Sequence, residues 1–456
     1  MLNLSLAEIA LWTHGTLAGA ADVAVHGVAI DSRRVVAGDL FVALAGEHVD
    51  GHDFLAAAAA RGAAAALVTR AVASELPCVR VADSVLALGD LASAVRAGQR
   101  AQVVGITGSN GKTTVKTLTA AVLAQQGATH LNQGNYNNEI GVPLTVLAMP
   151  DTAAYAVIEM GAGKPGDIDY LAAIARPQIG LVNNIAPAHL ERMGNLDTIA
   201  ETKGALYQAL PADGVAVINA DDAYAGYFAN LAGNRRVLRF GLTAAADVQA
   251  QHIQLEATAS RFELVTPLGA CAVHLPLGGR HNVANALAAA AVGVALALPV
   301  EAIRAGLAAV SAVPGRLQAR SMTGGWTLID DSYNANPGSL KAAVDTLALT
   351  TGERWLVLGD MAELGPGAGD LHADIGAYAK AAGIERLWTM GRLSARASDA
   401  FGANAAHFDT HVALAEALGK ALHGGVTCLV KGSRSSAMER VIQALPGATK
   451  GDTHAA

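Results

Sequence analysis

The stretch Val103-Val104-Gly105-Ile106-Thr107-Gly108-Ser109-Asn110-Gly111-Lys112-Thr113-Thr114 indicates the fold more strongly than any other part of the chain. Its apolar first half is typical of a strand, and it runs into a turn rich in glycine. Beyond the turn, Val115, Leu118 and Val122 recur at the spacing of one helix face, and Gly127 can end that helix. The stretch therefore predicts a strand, a loop and a helix in succession.

The residue types of this loop suit a phosphate chain. Glycines let consecutive backbone N–H groups converge on phosphate oxygens, a helix N-terminus adds partial positive charge, a lysine reaches the terminal phosphates and a threonine hydroxyl can ligate Mg²⁺. The usual pattern G-x-x-x-x-G-K-[ST] places its first glycine where Ile106 stands, so the match is incomplete. We nevertheless predict ATP binding by Gly108, Ser109, Asn110, Gly111, Lys112, Thr113 and Thr114.

A second glycine pattern competes with this loop. Gly161-Ala162-Gly163-Lys164-Pro165-Gly166 follows a predicted strand and has the form G-x-G-x-x-G of dinucleotide-binding proteins. Such proteins carry an acidic residue about 20 positions further on, and residues 181–184 contain none. A dinucleotide enzyme is therefore disfavoured.

Composition and charge exclude several classes of protein. The net charge is −7 over 456 residues, which argues against a general nucleic-acid-binding surface. Cys78, Cys271 and Cys428 lie far apart, so neither a disulfide framework nor a structural zinc site is expected. The first basic residue is Arg33, so the N-terminus lacks the positively charged region of a signal peptide. The longest apolar run, 286–300, is shorter than the stretch of about 18 residues that a membrane-spanning helix needs. We expect a cytoplasmic protein with no membrane insertion, and a buried helix over 286–300.

The order of apolar segments predicts an α/β fold with three domains. β-branched runs at 103–107, 155–160, 179–185 and 214–219 alternate with alanine-rich helical stretches, which is typical of one parallel sheet covered on both faces. Alternating polar and apolar residues between 248 and 277 predict antiparallel hairpins at its edge. The Pro-Gly pair at 314–315 is a plausible linker. We assign domains to residues 1–100, 101–313 and 314–456.

In these motifs the chain resembles the Mur ligase family, the ATP-dependent amide-forming enzymes of peptidoglycan synthesis, whose phosphate loop has the sequence T-G-x-N-G-K-[ST]. Residues 107–113 reproduce that form, and the resemblance covers almost the whole chain. It implies a small α/β N-terminal domain that binds the UDP-sugar, a central parallel-sheet P-loop domain that binds ATP, and a Rossmann-like C-terminal domain that binds the incoming substrate.

The resemblance also implies a magnesium site. Glu159 is predicted at the carboxyl end of a strand, where an open parallel sheet presents ligand-binding groups. Family members place a histidine and a lysine beside the metal, at His189 and Lys203 here, and this lysine is carbamylated in several of them. A carbamate would turn a cation into an oxygen ligand. The expected metal-site residues are Thr113, Glu159, His189 and Lys203, and those of catalysis are Lys112, Glu159, His189 and Lys203.

Further segments match family motifs at the other ligand sites. The resemblance implies nucleotide contacts by Asn282, by Arg316 reaching across from the last domain, and by Asp331. The segment 330–337 is similar to that of members that add D-alanyl-D-alanine, with Asn334 and Asn336 orienting the dipeptide. The expected residues of the UDP-peptide site are Ser32, Arg33 and Asn138.

The activity so implied is the ATP-dependent addition of D-alanyl-D-alanine to UDP-MurNAc-tripeptide through an acyl phosphate. The substrates are small molecules, no nucleic acid takes part, and the expected state is a monomer. Two alternatives stay open here. One is a folylpolyglutamate-synthase-like ligase, which shares the loop and the lysine, and the other is a nucleotide-binding regulatory module without ligation.

Overall fold

A computed structural model of the chain describes residues 2–46, 49–187 and 190–445. The strands form sheets of five, nine and six members and a separate antiparallel pair. Most of the pairs within the three larger sheets are parallel, with helices between the strands. The predicted α/β class is confirmed.

The N-terminal part contains the five-stranded sheet. Its elements are β1 (Leu4–Ser5), α1 (Leu6–Trp12), β2 (Thr16–Ala18), β3 (Ala24–Val25), β4 (Gly27–Ala29), β5 (Asp39–Val42), α2 (Leu55–Ala60), β6 (Ala65–Val68), β7 (Cys78–Arg80) and α3 (Ser84–Gly98). The strand order is β2-β7-β6-β5-β4, and β2 runs antiparallel to the others. A single 3-10 turn, Ser32–Arg34, leads from β4 towards β5.

The central part contains the nine-stranded sheet. Its elements are β8 (Gln102–Thr107), α4 (Lys112–Leu123), β9 (Thr129–Leu131), α5 (Gly141–Leu147), β10 (Tyr155–Glu159), α6 (Asp167–Ala175), β11 (Ile179–Val182), α7 (Leu190–Met193), α8 (Leu196–Gln208), β12 (Val215–Asn219), α9 (Ala225–Ala232), β13 (Arg236–Gly241), β14 (Val248–Leu255), β15 (Ser260–Thr266), β16 (Gly269–Leu275), α10 (Arg280–Ala295) and α11 (Val300–Ala308). The order is β16-β15-β14-β13-β12-β11-β8-β10-β9. The hairpins predicted after residue 248 do lie at its edge, as β14, β15 and β16.

The strand that precedes the phosphate loop is buried on both faces. In β8, Val103 belongs to an apolar cluster with residues of α6 and α8, whereas Val104 and Ile106 belong to one with α4 and α10. Two helical layers therefore cover the sheet, which explains why β8 is apolar without alternation. Because β8, β10 and β11 are parallel, their carboxyl ends meet at one edge, where the loop lies.

The C-terminal part contains the six-stranded sheet. Its elements are β17 (Gln318–Ser321), β18 (Thr327–Asp331), α12 (Pro337–Ala348), β19 (Glu353–Gly359), α13 (Ala368–Ala381), β20 (Arg386–Met390), α14 (Ala395–Phe401), β21 (Ala405–Phe408), α15 (His411–Ala421), β22 (Val426–Lys431) and α16 (Glu439–Ala444). The order is β17-β18-β22-β19-β20-β21, with β17 antiparallel. The register pairs Asp331 with Lys431, so both side chains leave the same end of the sheet.

Two predicted elements differ in extent. The strand predicted over 179–185 ends at Val182. Beyond it the chain leaves β8: the side-chain amides of Asn183 and Asn184 donate to the carbonyl of Asn110 in the phosphate loop, and the Ile185 N–H donates to the carboxylate of Asp222. The apolar run 286–300 is not one helix. It is divided between α10 and α11, where Ala297 adopts a positive φ of 54° ahead of Pro299.

The predicted domain boundaries, near residues 100 and 314, fall between the sheets. The helix that precedes the first boundary nevertheless packs on the central part: the Arg96 guanidinium is buried and donates to the carbonyl of Ala175 at 2.8 Å. The division into three domains stays a prediction. None of the helices in the described ranges has the length and apolarity needed to cross a membrane.

Candidate active site

The phosphate loop joins β8 to α4 through two glycines with positive φ. Gly108 has a φ of 148° and Gly111 one of 78°, conformations that side chains with a Cβ rarely adopt. Gly111 stands at the N-terminal end of α4. The loop thereby turns sharply enough to bring its backbone and the positive end of the helix dipole to one cavity.

Lys112 folds back onto its own loop. Its Nζ donates to the carbonyl of Gly108 at 2.8 Å and lies 3.4 Å from that of Ser109. Burial lowers the pKa of Lys112, Glu159 opposes this shift and Arg316 adds to it. The ammonium is therefore held where a phosphate oxygen can replace a carbonyl as its acceptor.

Thr113 stands between a carboxylate and a guanidinium. Its hydroxyl donates to Oε2 of Glu159 at 3.0 Å and accepts from Nη2 of Arg316 at 2.9 Å. Glu159 is the last residue of β10 and is 2% exposed. Arg316 comes from the linker that follows the central part, so this contact joins the two larger sheets through one hydroxyl.

Glu159 stays ionised although it is buried. Burial raises the pKa of its carboxyl, but Lys116, Lys112 and Arg316 together outweigh that effect, and the net shift is downward. Lys116 Nζ lies 3.3 Å from Oε2, and the amide of Asn137 donates to Oε1 at 2.7 Å. A buried carboxylate with such partners is a natural ligand for a divalent cation.

A chain of hydrogen-bonded asparagine side chains connects the phosphate loop to α10. Asn110 donates its backbone N–H to Oδ1 of Asn184 at 2.9 Å, and its carbonyl accepts from Asn183 at 2.9 Å. Asn183 also donates to Asn285, which donates to Asn282 at 3.1 Å. Asn282 is 5% exposed and donates to the carbonyl of Gly278. The loop is thus fixed to the start of α10.

Ser109 fixes the other side of the loop. Its hydroxyl donates to the carbonyl of Ala186 at 2.9 Å and accepts from the Ala186 N–H at the same distance. Thr114 follows Thr113 in the first turn of α4 and lines the cavity. Both predicted loop residues therefore lie at the site.

The C-terminal sheet closes the opposite wall. Asp331 Oδ2 forms a buried ion pair with Lys431 at 2.5 Å, and Lys431 also donates to the carbonyl of Asn334 at 3.0 Å. The Arg316 guanidinium carbon lies 4.2 Å from the centre of the Tyr333 ring, a cation–π contact. These contacts hold the segment 331–336 against the linker.

Asn336 is the direct link between this segment and the phosphate loop. Its Nδ2 donates to Oδ1 of Asn110 at 2.6 Å, while its Oδ1 caps α12 by accepting from the Ser339 N–H at 2.9 Å. Both ends of the amide are therefore occupied. The Oδ1 of Asn334 accepts instead from the neighbouring N–H of Ala335, and its side chain makes no such bridge to the residues that the structure describes.

These groups enclose one cavity of about 420 Å³. It is lined by the predicted Ser109, Asn110, Gly111, Lys112, Thr113, Thr114, Glu159, Asn282, Arg316, Asp331, Asn334 and Asn336. Gly108 contributes its carbonyl to Lys112. Most of the residues predicted for nucleotide and dipeptide are thus brought together, and the cavity is of the size that small-molecule sites have.

Of two further residues predicted for the metal site, Lys203 and His189, the first is not among the residues that line the cavity. Lys203 lies on α8 and is 3% exposed; burial, with a smaller contribution from Lys112, lowers its pKa to about 7. An amine with this pKa is largely neutral in mildly alkaline solution, as reaction with CO₂ requires. His189 lies outside the described residues. Within those residues no cluster of three His, Cys, Asp or Glu side chains is arranged for a metal.

The residues predicted for the UDP-peptide are not among those that line this cavity. Ser32 is buried in the 3-10 turn, and the Arg33 guanidinium pairs with Asp31 at 2.8 Å on the surface. Asn138 accepts from the Gly141 N–H at 2.9 Å and so supports the start of α5. Its neighbour Asn137, rather than Asn138, reaches Glu159.

The competing glycine turn is already occupied by the chain itself. The carboxylate of Asp167 accepts from the N–H groups of Gly163 and Lys164, at 2.8 and 3.0 Å. These are the donors that a dinucleotide diphosphate would need. The first residue of α6 therefore fills the turn with its own carboxylate, and the disfavoured dinucleotide site finds no support.

Several residues of the site were not predicted: Lys116, Asn137, Asn183, Asn285, Tyr333 and Lys431. In the structure Asn183 follows the last residue of β11 and Lys431 is the last residue of β22, the kind of position that Glu159 has in β10. The strand predicted over 179–185 placed Asn183 inside a strand, and so gave it no role. Asn285 lies in the motif that contains Asn282. Lys116 is one helical turn from Lys112, but no sequence signal indicates which loop it contacts.

Comparisons with known proteins agree with this geometry. Three family descriptions match the chain in order: "Mur ligase family, catalytic domain" at 24–101, "Mur ligase middle domain" at 106–293 and "Mur ligase, glutamate ligase domain" at 315–434. The UDP-N-acetylmuramoyl-tripeptide--D-alanyl-D-alanine ligase of Escherichia coli K12 is 45% identical over 98% of this chain and 99% of its own.

Solved structures give the same result. MurF from Acinetobacter baumannii aligns with a TM-score of 0.91 and 32% identity, covering 97% of this chain and 98% of its own. MurF ligase from Thermotoga maritima in complex with ADP aligns with a TM-score of 0.83 and 28% identity, covering 92% and 97%. The relationship extends over all three sheets, and the chain belongs to the Mur ligase family.

Proposed function

We propose that this protein is an ATP-dependent ligase that adds D-alanyl-D-alanine to UDP-MurNAc-tripeptide, giving the pentapeptide precursor of peptidoglycan. The observation that carries the proposal is the contact between Asn336 and Asn110, because it brings the segment 330–337, which resembles that of D-alanyl-D-alanine-adding members, against the phosphate loop. The E. coli relative named for this activity matches the chain almost end to end.

ATP binding is the first half of the reaction. The MurF ligase of T. maritima was solved with ADP, and ATP dependence is general in the family. In this chain Lys112 would release Gly108 and donate to the terminal phosphates, while Arg316 would reach the same phosphates from the linker. Asn282 and Asp331 line the cavity where the base and ribose would lie.

Mg²⁺ fits the residues present. Thr113 Oγ1 and Glu159 Oε2 are 3.0 Å apart at the cavity wall, and hard oxygen donors with phosphate oxygens are what this cation prefers. When bound, Mg²⁺ would neutralise the charge of the phosphate chain. His189 is a further candidate by family resemblance only.

Lys203 suits the carbamate proposed for it. Its lowered pKa, about 7, leaves a nucleophilic amine that can form an N–C bond with CO₂ and lose a proton. The product would be a buried anion on α8, able to hold a cation by oxygen. Asp167, which acts electrostatically on Lys203, already lies nearby.

The chemistry requires an activated carboxylate. A free carboxylate repels nucleophiles and has no good leaving group, so transfer of the γ-phosphoryl group to one of its oxygens gives an acyl phosphate. The D-alanyl-D-alanine amine then attacks the carbonyl carbon, the C–O bond to phosphate breaks, and ADP and phosphate leave. Preorganised cations, chiefly Lys112 and Arg316, stabilise the charge that develops as the two anions meet.

The remaining assignments follow the same proposal. Ser32 and Arg33 would donate to the UDP diphosphate, Asn138 belongs to the loop beside the acceptor peptide, and Asn334 and Asn336 would orient the dipeptide. The protein would work as a cytoplasmic monomer on small molecules, without nucleic acid. No observation favours the folylpolyglutamate-like or regulatory alternatives.

The test is to incubate the purified protein with ATP, Mg²⁺, D-alanyl-D-alanine and each UDP-MurNAc-tripeptide, with lysine or diaminopimelate as third residue, and to identify products by mass. The expected product is the UDP-pentapeptide, and ADP release should require both acceptor and dipeptide. ADP release that ignores the dipeptide would contradict the proposal and favour one of the alternatives.

A further inference from the structure

Lys116 is a buried cation that none of the roles above uses. It lies on α4, and its side chain is 3% exposed. Its Nζ lies 3.3 Å from Glu159 Oε2 and donates to the carbonyls of Asn132 and Gly134, both at 3.1 Å. An ammonium has three N–H donors, and here three acceptors surround it.

The carboxylate that it faces is equally constrained. Besides Lys116, Glu159 accepts from the Thr113 hydroxyl at Oε2 and from the Asn137 amide at Oε1. Burying an ion pair is costly unless its hydrogen bonds are satisfied, as they are here. The orientation of the carboxylate is therefore set by fixed donors before any cation arrives.

Lys116 also fixes the segment that brings Asn137 to the carboxylate. Asn132 holds the Glu159 backbone on both sides: its Oδ1 accepts from the Glu159 N–H at 2.6 Å, and its Nδ2 donates to the Glu159 carbonyl at 3.1 Å. The same Nδ2 donates to the Tyr136 carbonyl at 2.6 Å. One ammonium therefore joins α4, the end of β10 and the segment 132–137.

We infer that Lys116 is a positioning residue that fixes the orientation of Glu159 and of the segment 132–137. The positive charge of Lys116 at the same time weakens divalent-cation binding at Glu159. The inference rests on the proposed function only in taking Glu159 as the carboxylate that faces Mg²⁺. A fixed positive charge beside a carboxylate opposes a second cation, most strongly in a buried site. Removing it should therefore tighten cation binding and slow the reaction.

The experiment compares Lys116→Gln, which removes the charge but keeps a hydrogen-bonding group, with Lys116→Arg, which keeps the charge. Lys164→Gln, at an exposed lysine on the glycine turn 161–166, is the control for a lost surface charge. Mn²⁺ binding is measured in the presence of ADP by water-proton relaxation. Hydrogen exchange of the segment 132–137 is measured in the metal-free protein.

For Lys116→Gln we expect an Mn²⁺ dissociation constant lower by on the order of tenfold, faster exchange in 132–137, and a kcat lower by on the order of tenfold to a hundredfold. Lys116→Arg should bind Mn²⁺ as the unchanged protein does. Unchanged or weaker Mn²⁺ binding by Lys116→Gln would overturn the inference, as would unchanged exchange.

Failure of the unchanged protein to bind Mn²⁺ with ADP would instead count against the proposed function. Should Lys116→Gln fail to fold, Glu159→Gln supplies the second test. This variant removes the carboxylate partner of the Lys116–Glu159 ion pair, so the hydrogen-exchange rate of the segment 132–137 should also rise in the metal-free protein. An unchanged exchange pattern there would overturn the inference.

Discussion

Replacement of Lys112 by methionine tests the phosphate loop, because the structure separates its effect on catalysis from its effect on folding. Within the described part of the chain, the hydrogen bonds of the ammonium go only to loop carbonyls, at 2.8 and 3.4 Å. Losing a hydrogen bond with one charged partner costs about 1.5–3 kcal/mol. Removal of a buried cation, whose pKa burial lowers, offsets part of that cost. We therefore expect an unfolding free energy that falls by less than about 3 kcal/mol, so that the protein stays folded at the assay temperature.

The loss of turnover should be far larger. A preorganised group that stabilises charge at the transition state contributes about 3–4 kcal/mol, or a factor of about 10² to 10³ in rate. The assay is ADP release at saturating substrates, with thermal unfolding measured on the same samples. Lys164→Met is the matched control, since Lys164 lies on the competing glycine turn.

Lys112→Met should lose at least about a hundredfold in kcat, whereas Lys164→Met should keep it. A Lys112→Met protein that turns over near the normal rate would remove this lysine from the mechanism. A large loss with Lys164→Met instead would return the glycine turn 161–166 to consideration.

Three further predictions concern the contacts around the cavity. The first is a double-mutant cycle of Asn110→Ala and Asn336→Ala, whose side chains share a 2.6 Å hydrogen bond. The effects of the two substitutions on kcat/KM for ATP should differ from additivity by a coupling energy of about 0.5–1.5 kcal/mol, and additive effects would contradict the contact. Arg316→Lys should raise the KM for ATP by on the order of tenfold, because a lysine ammonium cannot stack on the Tyr333 ring and at the same time donate to Thr113 and to phosphate oxygens as a planar guanidinium can. An unchanged KM would rule out a role of Arg316 in ATP binding. With a pKa of about 7, the neutral fraction of the Lys203 amine rises from about a tenth at pH 6 to about nine tenths at pH 8. A carbon-13 carbamate signal from labelled bicarbonate, absent in Lys203→Ala, should therefore grow over this range, and a signal that does not depend on pH would contradict the assignment.

Local sequence patterns predicted most of the fold. Apolar runs located β8, β10 and β12 within one residue at each end, because a buried parallel strand needs an uninterrupted apolar stretch. The break between α10 and α11 was missed. Both sides of that break are apolar, so apolarity did not indicate it, although Pro299 is a local signal for a helix end.

The site was predictable where one motif or one strand end carries it. Lys112, Thr113 and Glu159 could be placed in this way. Asn183 could not, because the strand before it was predicted to run on to residue 185 and ends at Val182. The contacts between distant segments could not be predicted. Asn336 and Asn110 are 226 positions apart, and only the arrangement of the two sheets brings their amides together.

The most direct test of the account follows oxygen atoms through one turnover. The UDP-MurNAc-tripeptide is labelled with oxygen-18 in its terminal carboxylate and incubated with the protein, ATP, Mg²⁺ and D-alanyl-D-alanine. If the γ-phosphoryl group is transferred to that carboxylate, the bridging oxygen leaves with phosphate, so each phosphate released should carry one labelled oxygen. Phosphate released without label, while the pentapeptide forms, would contradict the acyl phosphate and the role given to the loop.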